Sequence, residues 1–199
     1  LDLTFNPGTN NQVNTILIDQ DNGLLIGGSF TGFDNTPASR LVRLHSNDAL
    51  DSSFTNQQSF DASVEEIIQD GNKLYVAGGF TERIIRLHSS GLPDLTFDSY
   101  RPRSAVTDFA ILPSGAVIAS GRFSGGLIKI DTTGQLDEDF SPRPNDFIFD
   151  LKTTEEGQIL VAGNFTRIAG KSIRSLARLS ANGDLRMCTP RPTTDSLYK

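Results

Sequence analysis

Six basic side chains, Arg101, Arg103, Arg143, Arg167, Lys171 and Arg174, could grip a carboxylate, a sulfated sugar or an acidic partner. The alternative reading of them is ordinary solvated loop charge. Phe33, Phe60, Tyr100 and Phe147 are the aromatics that could stack on a sugar ring. Asp34, Asp61, Asp98 and Asp146 are of the type a glycosidase uses as an acid/base pair, but no spacing brings two of them together. His45 and His88 stand at equivalent places beside a turn, whereas a general base is needed once and with converging partners. The run Asp19-Gln20-Asp21-Asn22-Gly23 has part of a calcium-loop pattern, yet it lacks the register and the distal Glu, and reads as a hairpin turn. Cys188 is the single cysteine and there are two His, so neither an internal disulfide nor a zinc site is expected. No Ser/His/Asp order, phosphate-cradling loop or dinucleotide fingerprint is present. The expectation is therefore a protein without catalytic residues, metal ligands or cofactor.

The elements that must position these groups are set by a repeat. Phe5, Phe54, Phe97 and Phe140 lie 49, 43 and 43 residues apart and close the phrases LDLTF, LDSSF, PDLTF and LDEDF. A second set, Phe30, Phe80, Phe123 and Phe165, follows 25 or 26 residues later inside GGSFT, GGFT, SGRFS and AGNFT. A third phrase carries Arg43, Arg86, Lys129 and Arg178, which are placed to pair with the recurring Asp2, Asp51, Asp94 and Asp137. The period varies because the first and last units hold a seven-residue insertion. Hydrophobic residues alternate or form short apolar runs without a 3.6-residue period, and Asp-Gly, Ser-Gly and Glu-Gly turns separate the runs. This predicts an all-β fold with four antiparallel strands per unit, the pattern of a propeller blade. The paired Gly before each Phe fit either a crowded inner strand or a bulge.

The string [ILV]-x-G-G-x-F-T, then A-R-L, then G-x-L-D-x-x-F resembles the delta-sixty repeat propellers of bacteria and phages over residues 1 to about 185. Ser120 and Ala162 replace the first Gly, and Pro93 stands where the other units have Leu. The resemblance implies a propeller of mostly unassigned, non-catalytic role.

The expected organisation is a four-repeat β-propeller over 1–188, with repeats at about 1–49, 50–92, 93–135 and 136–185, and a tail at 189–199. Near the end of the fourth unit the chain reads Leu185-Arg186-Met187-Cys188-Thr189, without the Asp and Phe of the other phrases. We expect the N-terminal LDLTF to supply that missing outer strand and close the ring. An excerpt of a larger ring, or a half-ring paired with another copy, is the alternative. Loops then sort by face: tight turns on one side, and on the other the insertions at 31–39 and 166–175 with the links between units. Phe33, Phe60, Arg101, Arg103, Arg143, Phe147, Arg167 and Lys171 all map to the irregular face, the expected binding surface.

A net charge of −6, with 21% charged residues and no basic run, disfavours nucleic acid as a partner. No segment has the roughly 18 consecutive apolar residues of a membrane helix. The chain starts without Met or a signal segment, so it is expected to be processed or an excerpt. The favoured expectation is a non-enzymatic binding or structural module for a protein, with glycan as a second partner class, in a bacterial surface, secreted or virion assembly. A lectin and a glycan-active hydrolase are the rivals.

Overall fold

The structure, a computed structural model, describes residues 8–54, 60–123 and 125–186. Among these residues there is no helix, and fourteen strands form four three-stranded antiparallel sheets and one short hairpin. The first sheet holds β1 (Val13–Ile18), β2 (Leu24–Gly28) and β5 (Leu41–Leu44), with the hairpin β3 (Gly32–Phe33) and β4 (Thr36–Pro37) inserted after β2. The second holds β6 (Val64–Asp70), β7 (Lys73–Gly78) and β8 (Ile84–His88). The third holds β9 (Val106–Ile111), β10 (Val117–Gly121) and β11 (Leu127–Ile130), and the fourth β12 (Ile148–Thr153), β13 (Ile159–Gly163) and β14 (Leu176–Leu179).

The expected fourth strand of each unit is reduced to one bridge: Leu44 with Leu50, Leu87 with Pro93, Ile130 with Leu136 and Leu179 with Leu185. In the first three units the cause lies in the LDxxF or PDxxF phrase itself. Asp51 Oδ1 accepts the Ser53 N–H at 2.9 Å, Asp94 Oδ1 that of Thr96 at 3.1 Å and Asp137 Oδ1 that of Asp139 at 3.2 Å. Each carboxylate thus folds the backbone into a turn where a strand would continue. Pro93 is tolerated because the flanking hydrogen bonds use the Leu92 carbonyl and the Asp94 amide and require nothing of residue 93.

The inner strands β1, β6, β9 and β12 each carry a bulge, at Asn14, Glu65, Thr107 and Phe149. The bulge resolves the meaning of the glycines. Opposite it stand Gly28, Gly78, Gly121 and Gly163, where an added Cβ would overlap the carbonyl oxygen of Gln12, Ser63, Ala105 and Phe147. The preceding position meets no such demand in every unit, which is why Ser120 and Ala162 occur there.

Core packing runs between consecutive sheets. Leu25, Leu41 and Phe54 meet Val64, Ile67 and Val76; Tyr75, Ile84 and Phe97 meet Val106, Phe109 and Ala119; Ile118, Leu127 and Phe140 meet Ile148, Leu151 and Val161. In the first three units the turn after Asp thus delivers its Phe into the interface with the next sheet. A fourth cluster, with Ile26, Phe30, Phe33 and Val42, comes from the first unit alone. β1 packs on β6, β6 on β9 and β9 on β12, while no packing of comparable extent joins β12 to β1. The described sheets therefore form an unclosed row, and the closing role assigned to residues 1–5 lies outside the described residues, as do Asp2, Cys188 and the tail at 189–199.

Candidate functional site

The irregular face is built by one recurrent clamp. Asn10 Oδ1 accepts the N–H groups of Thr31 and Gly32 at 2.9 and 3.0 Å, and its amide donates to Thr31 Oγ1 at 3.1 Å. In the fourth unit Asn145 Oδ1 accepts from Thr166 and Arg167, each at 2.8 Å, and its amide donates to Thr166 Oγ1 at 3.0 Å. In the second unit Asp61 accepts both the Thr81 N–H, at 2.8 Å, and the Thr81 hydroxyl. Each clamp ties the link before a sheet to the loop after its second strand, so these two kinds of connection share a face. Asp61 is thereby a structural group, with its carboxyl held below the usual carboxylate range first by the Thr81 hydroxyl and then by the Thr81 amide.

Phe33 and Phe60 do not belong to the binding surface. Phe33 is buried in the cluster with Phe30 and Val42, because the β3–β4 hairpin folds back over the sheet, just as the corresponding loop of the fourth unit buries Ile168. Phe60 is buried between the first and second sheets, edge-on to Phe80 with ring centroids 4.7 Å apart. Apolar area in an irregular segment has been withdrawn from water where the sequence expected display.

Arg101, Arg103, Arg143, Arg167, Lys171 and Arg174 are exposed, and none of them forms an ion pair among the described residues. The structure brings four of the expected site residues to one place. The Asn145 amide donates to the Arg167 carbonyl at 3.1 Å and that of Ala169 to the Pro142 carbonyl at 2.6 Å, which sets the loop carrying Arg167 and Lys171 against the link carrying Arg143. Phe147, at the end of that link, is 43% exposed. Arg122, which the sequence reading passed over, has its guanidinium carbon 5.1 Å from the Phe147 ring centroid. The only signal for Arg122 in the sequence was its place between the repeat Gly and Phe. Arg143 adopts a positive φ of 42° and donates Nε to Ser141 Oγ at 2.7 Å, and it lines an open cleft of about 490 Å³ with Leu127, Leu136 and Pro144. Arg101 lines a separate cleft of about 380 Å³ one unit earlier, beside Leu95 and Phe97. Tyr100 is exposed and lies in the same link as Arg101.

A second set of groups lies on the inner strands. Glu66, Asp108 and Asp150 occupy one register, opposite Ala77, Ser120 and Ala162, with Thr15 in the first sheet. Asp108 Oδ2 accepts the Leu151 N–H at 2.7 Å and so joins β9 to β12. Burial pushes the Asp108 carboxyl up, and burial together with the Asp108 charge does the same to Glu66. Lys152 Nζ lies 3.3 Å from Asp150 Oδ1 and partly offsets the negative charge of the row. Among the described residues, no three His, Cys, Asp or Glu side chains are grouped as a metal site would require. His45 Nε2 is 3.5 Å from Asp51 and His88 Nδ1 is 3.2 Å from Lys73 Nζ, both beside the tight turns. Asp19 Oδ1 accepts the Asp21 and Gly23 amides at 2.9 and 2.8 Å while Oδ2 takes Arg43 Nε at 2.6 Å, which makes that segment a hairpin turn facing an arginine.

Three segments, 20–54, 70–97 and 157–185, match a family described as "Domain of unknown function (DUF5122) beta-propeller". No curated protein matches the chain. Among solved structures, the WD40 beta propeller domain of Doa1 is similar with a TM-score of 0.63 at 12% identity, covering 88% of this chain and 53% of that one. Virginiamycin B lyase from Staphylococcus aureus gives 0.58 at 13% identity, with 93% and 60% covered. The computationally designed Ika4 protein gives 0.61 at 12% identity, with 87% and 93% covered. The chain spans between about half and two thirds of the first natural structures it matches, at 53%, 65% and 55% of their lengths. The fold is thus all-β and propeller-like, built from a β-propeller repeat.

Proposed function

We propose that this β-propeller chain, with repeats of the delta-sixty kind, is a non-enzymatic binding module that takes an acidic protein segment on the irregular face at the junction of the third and fourth sheets. One observation carries the reading: the loop carrying Arg167 and Lys171 is bonded to the link carrying Arg143 and the exposed Phe147, Arg122 lies over the Phe147 ring, and none of these four cations has an ion pair among the described residues, although the chain as a whole has a net charge of −6. Cations left unpaired beside an aromatic face offer an anionic side chain both charge and apolar contact. Similarity to WD40 propellers supports a protein as the partner class, and places for such a module include a bacterial surface, secreted or virion assembly. The lectin reading now rests on Phe147 and Tyr100 alone. The hydrolase reading would need Glu66 and Asp108, and Asp108 is already committed to the Leu151 amide.

The test is fluorescence anisotropy with a labelled polyglutamate peptide containing one phenylalanine, run against a neutral oligosaccharide. Binding to the peptide should weaken with added salt and fall at least about tenfold in Arg143→Glu/Arg167→Glu, as expected when charge pairs are reversed. Peptide binding indifferent to the reversal, or binding of the sugar alone, would defeat the proposal.

A further inference from the structure

The row of sheets ends in two partly exposed apolar faces, and their exposed residues repeat positions that are buried in the joint the chain already makes three times. At the leading end, Ile16 stands opposite Ile26 as Ile67 stands opposite Val76, Phe109 opposite Ala119 and Leu151 opposite Val161. The last three are buried against the preceding sheet, whereas Ile16 is 62% exposed. Val13 repeats the contrast, exposed where its counterparts Val64, Val106 and Ile148 are buried. At the trailing end, Leu176 stands opposite Ala162 as Leu41 does opposite Gly27, Ile84 opposite Ala77 and Leu127 opposite Ser120. Those three are buried under the following sheet, and Leu176 is 66% exposed. Leu160, the counterpart of buried Leu25, is likewise only half-buried.

We infer that a second copy of this chain docks head to tail, the trailing face of its fourth sheet covering the leading face of the first. The complement of a leading face is visible inside the molecule: Val64, Ile67 and Val76 are covered by Leu25 and Leu41. Leu160 and Leu176 repeat that leucine pair in the same register, and Val13 and Ile16 repeat the exposed part of the surface it covers, the Val76 counterpart Ile26 being already buried within the first unit. The intermolecular joint therefore continues the packing series of the internal ones, with the same side chains in the same roles. Head-to-tail joints of this kind close into a ring when the rotation closes, and a two-membered ring would hold two identical joints. Pairing of two leading faces would instead set Ile16 and Val13 against themselves, a contact the chain makes nowhere among its described sheets. This inference is independent of the basic face proposed above.

Light scattering on the 199-residue chain across micromolar concentrations should give twice the monomer mass of 21.6 kDa. Ile16→Glu and Leu176→Glu should each give a monomer with unchanged circular dichroism, since both side chains are exposed within one chain and a charge is costly only once the joint buries it. Ile16→Ser and Leu176→Ser stand in if either glutamate variant loses its fold. The decisive result is the mixture. Combined, the two glutamate variants retain one undamaged joint, between the leading face of the Leu176→Glu chain and the trailing face of the Ile16→Glu chain, and should recover dimer that neither forms alone. A monomer at every concentration, whether its ends are covered by its own terminal residues or by nothing, overturns the inference. So does a dimer that survives both substitutions, or a mixture that stays monomeric.

Discussion

Asp94 shows what the repeated carboxylate does. It is buried and accepts from Lys73 Nζ at 2.7 Å, Arg86 Nε at 2.8 Å and the Thr96 hydroxyl at 2.6 Å. Burial alone would raise its pKa, but the hydrogen bonds from Lys73, Thr96 and Arg86 outweigh it and hold the carboxyl far below the usual carboxylate range. Asp19, Asp51 and Asp137 are lowered in the same direction, whereas Glu66 and Asp108 are raised, above all by burial. The two groups act on stability with opposite sign. A lowered carboxyl stabilises the fold above its unfolded pKa, near 4, and that contribution disappears as pH falls through the folded value. A raised carboxyl contributes fully below the unfolded pKa and loses its contribution as pH rises through the folded value. Urea melts across pH should therefore show Asp94→Ala costing about 3 kcal/mol at pH 7, from stranding two cations beside a buried site, with a shallower loss below pH 4. Asp108→Asn keeps an acceptor for the Leu151 amide and should instead gain stability at pH 7, with little change below pH 4. Equal effects of either substitution at both pH values would refute this assignment of signs.

At the scale of elements, the instructive case is the last phrase of the fourth unit. Arg43, Arg86 and Lys129 pair with Asp51, Asp94 and Asp137 at 3.2, 2.8 and 3.0 Å. In the fourth unit the equivalent backbone bond persists, with the Arg186 amide donating to the Arg178 carbonyl at 2.7 Å, but two arginines now stand where a pair should be. Arg186→Asp places a carboxylate beside Arg178, where the other units have their ion pair. We expect it to stabilise the protein by about 1 kcal/mol, and hence to raise the Tm by roughly 2–4 °C in calorimetry, an effect reduced in high salt. An unchanged or lower Tm would show that the fourth unit ends by a different device. The missing Asp was plain in the sequence. That LDxxF is a turn holding one bridge was not, because a five-residue apolar-polar phrase reads equally well as a short strand until its carboxylate is seen taking the amide two residues on.

For the whole molecule, each internal sheet shares apolar faces with two neighbours and each end sheet with one. Stability in such a row is a sum of nearest-neighbour terms, so hydrogen exchange should protect β7 and β10 most and release β1 and β14 first. Uniform protection across all four sheets in the monomeric Ile16→Glu chain would contradict that picture. The sequence by itself determined the unit: the Phe markers and the glycine opposite each bulge recur, with a cation–Asp pair in the first three units, because each unit places them in the same local environment, and local environments are what a repeat encodes. It also placed the irregular loops on one face, since strand parity alone decides that. The tertiary structure decided what parity cannot. It buried Phe33, whose fate depends on how an insertion folds back over a sheet, and Phe60, whose fate depends on how two sheets meet, and it set Arg122 over the Phe147 ring and the loop of Arg167 and Lys171 against the link of Arg143. It also left the two ends of the row open, because the covering of Ile16 and Leu176 depends on the curvature accumulated over four sheets, to which no single unit's residues point.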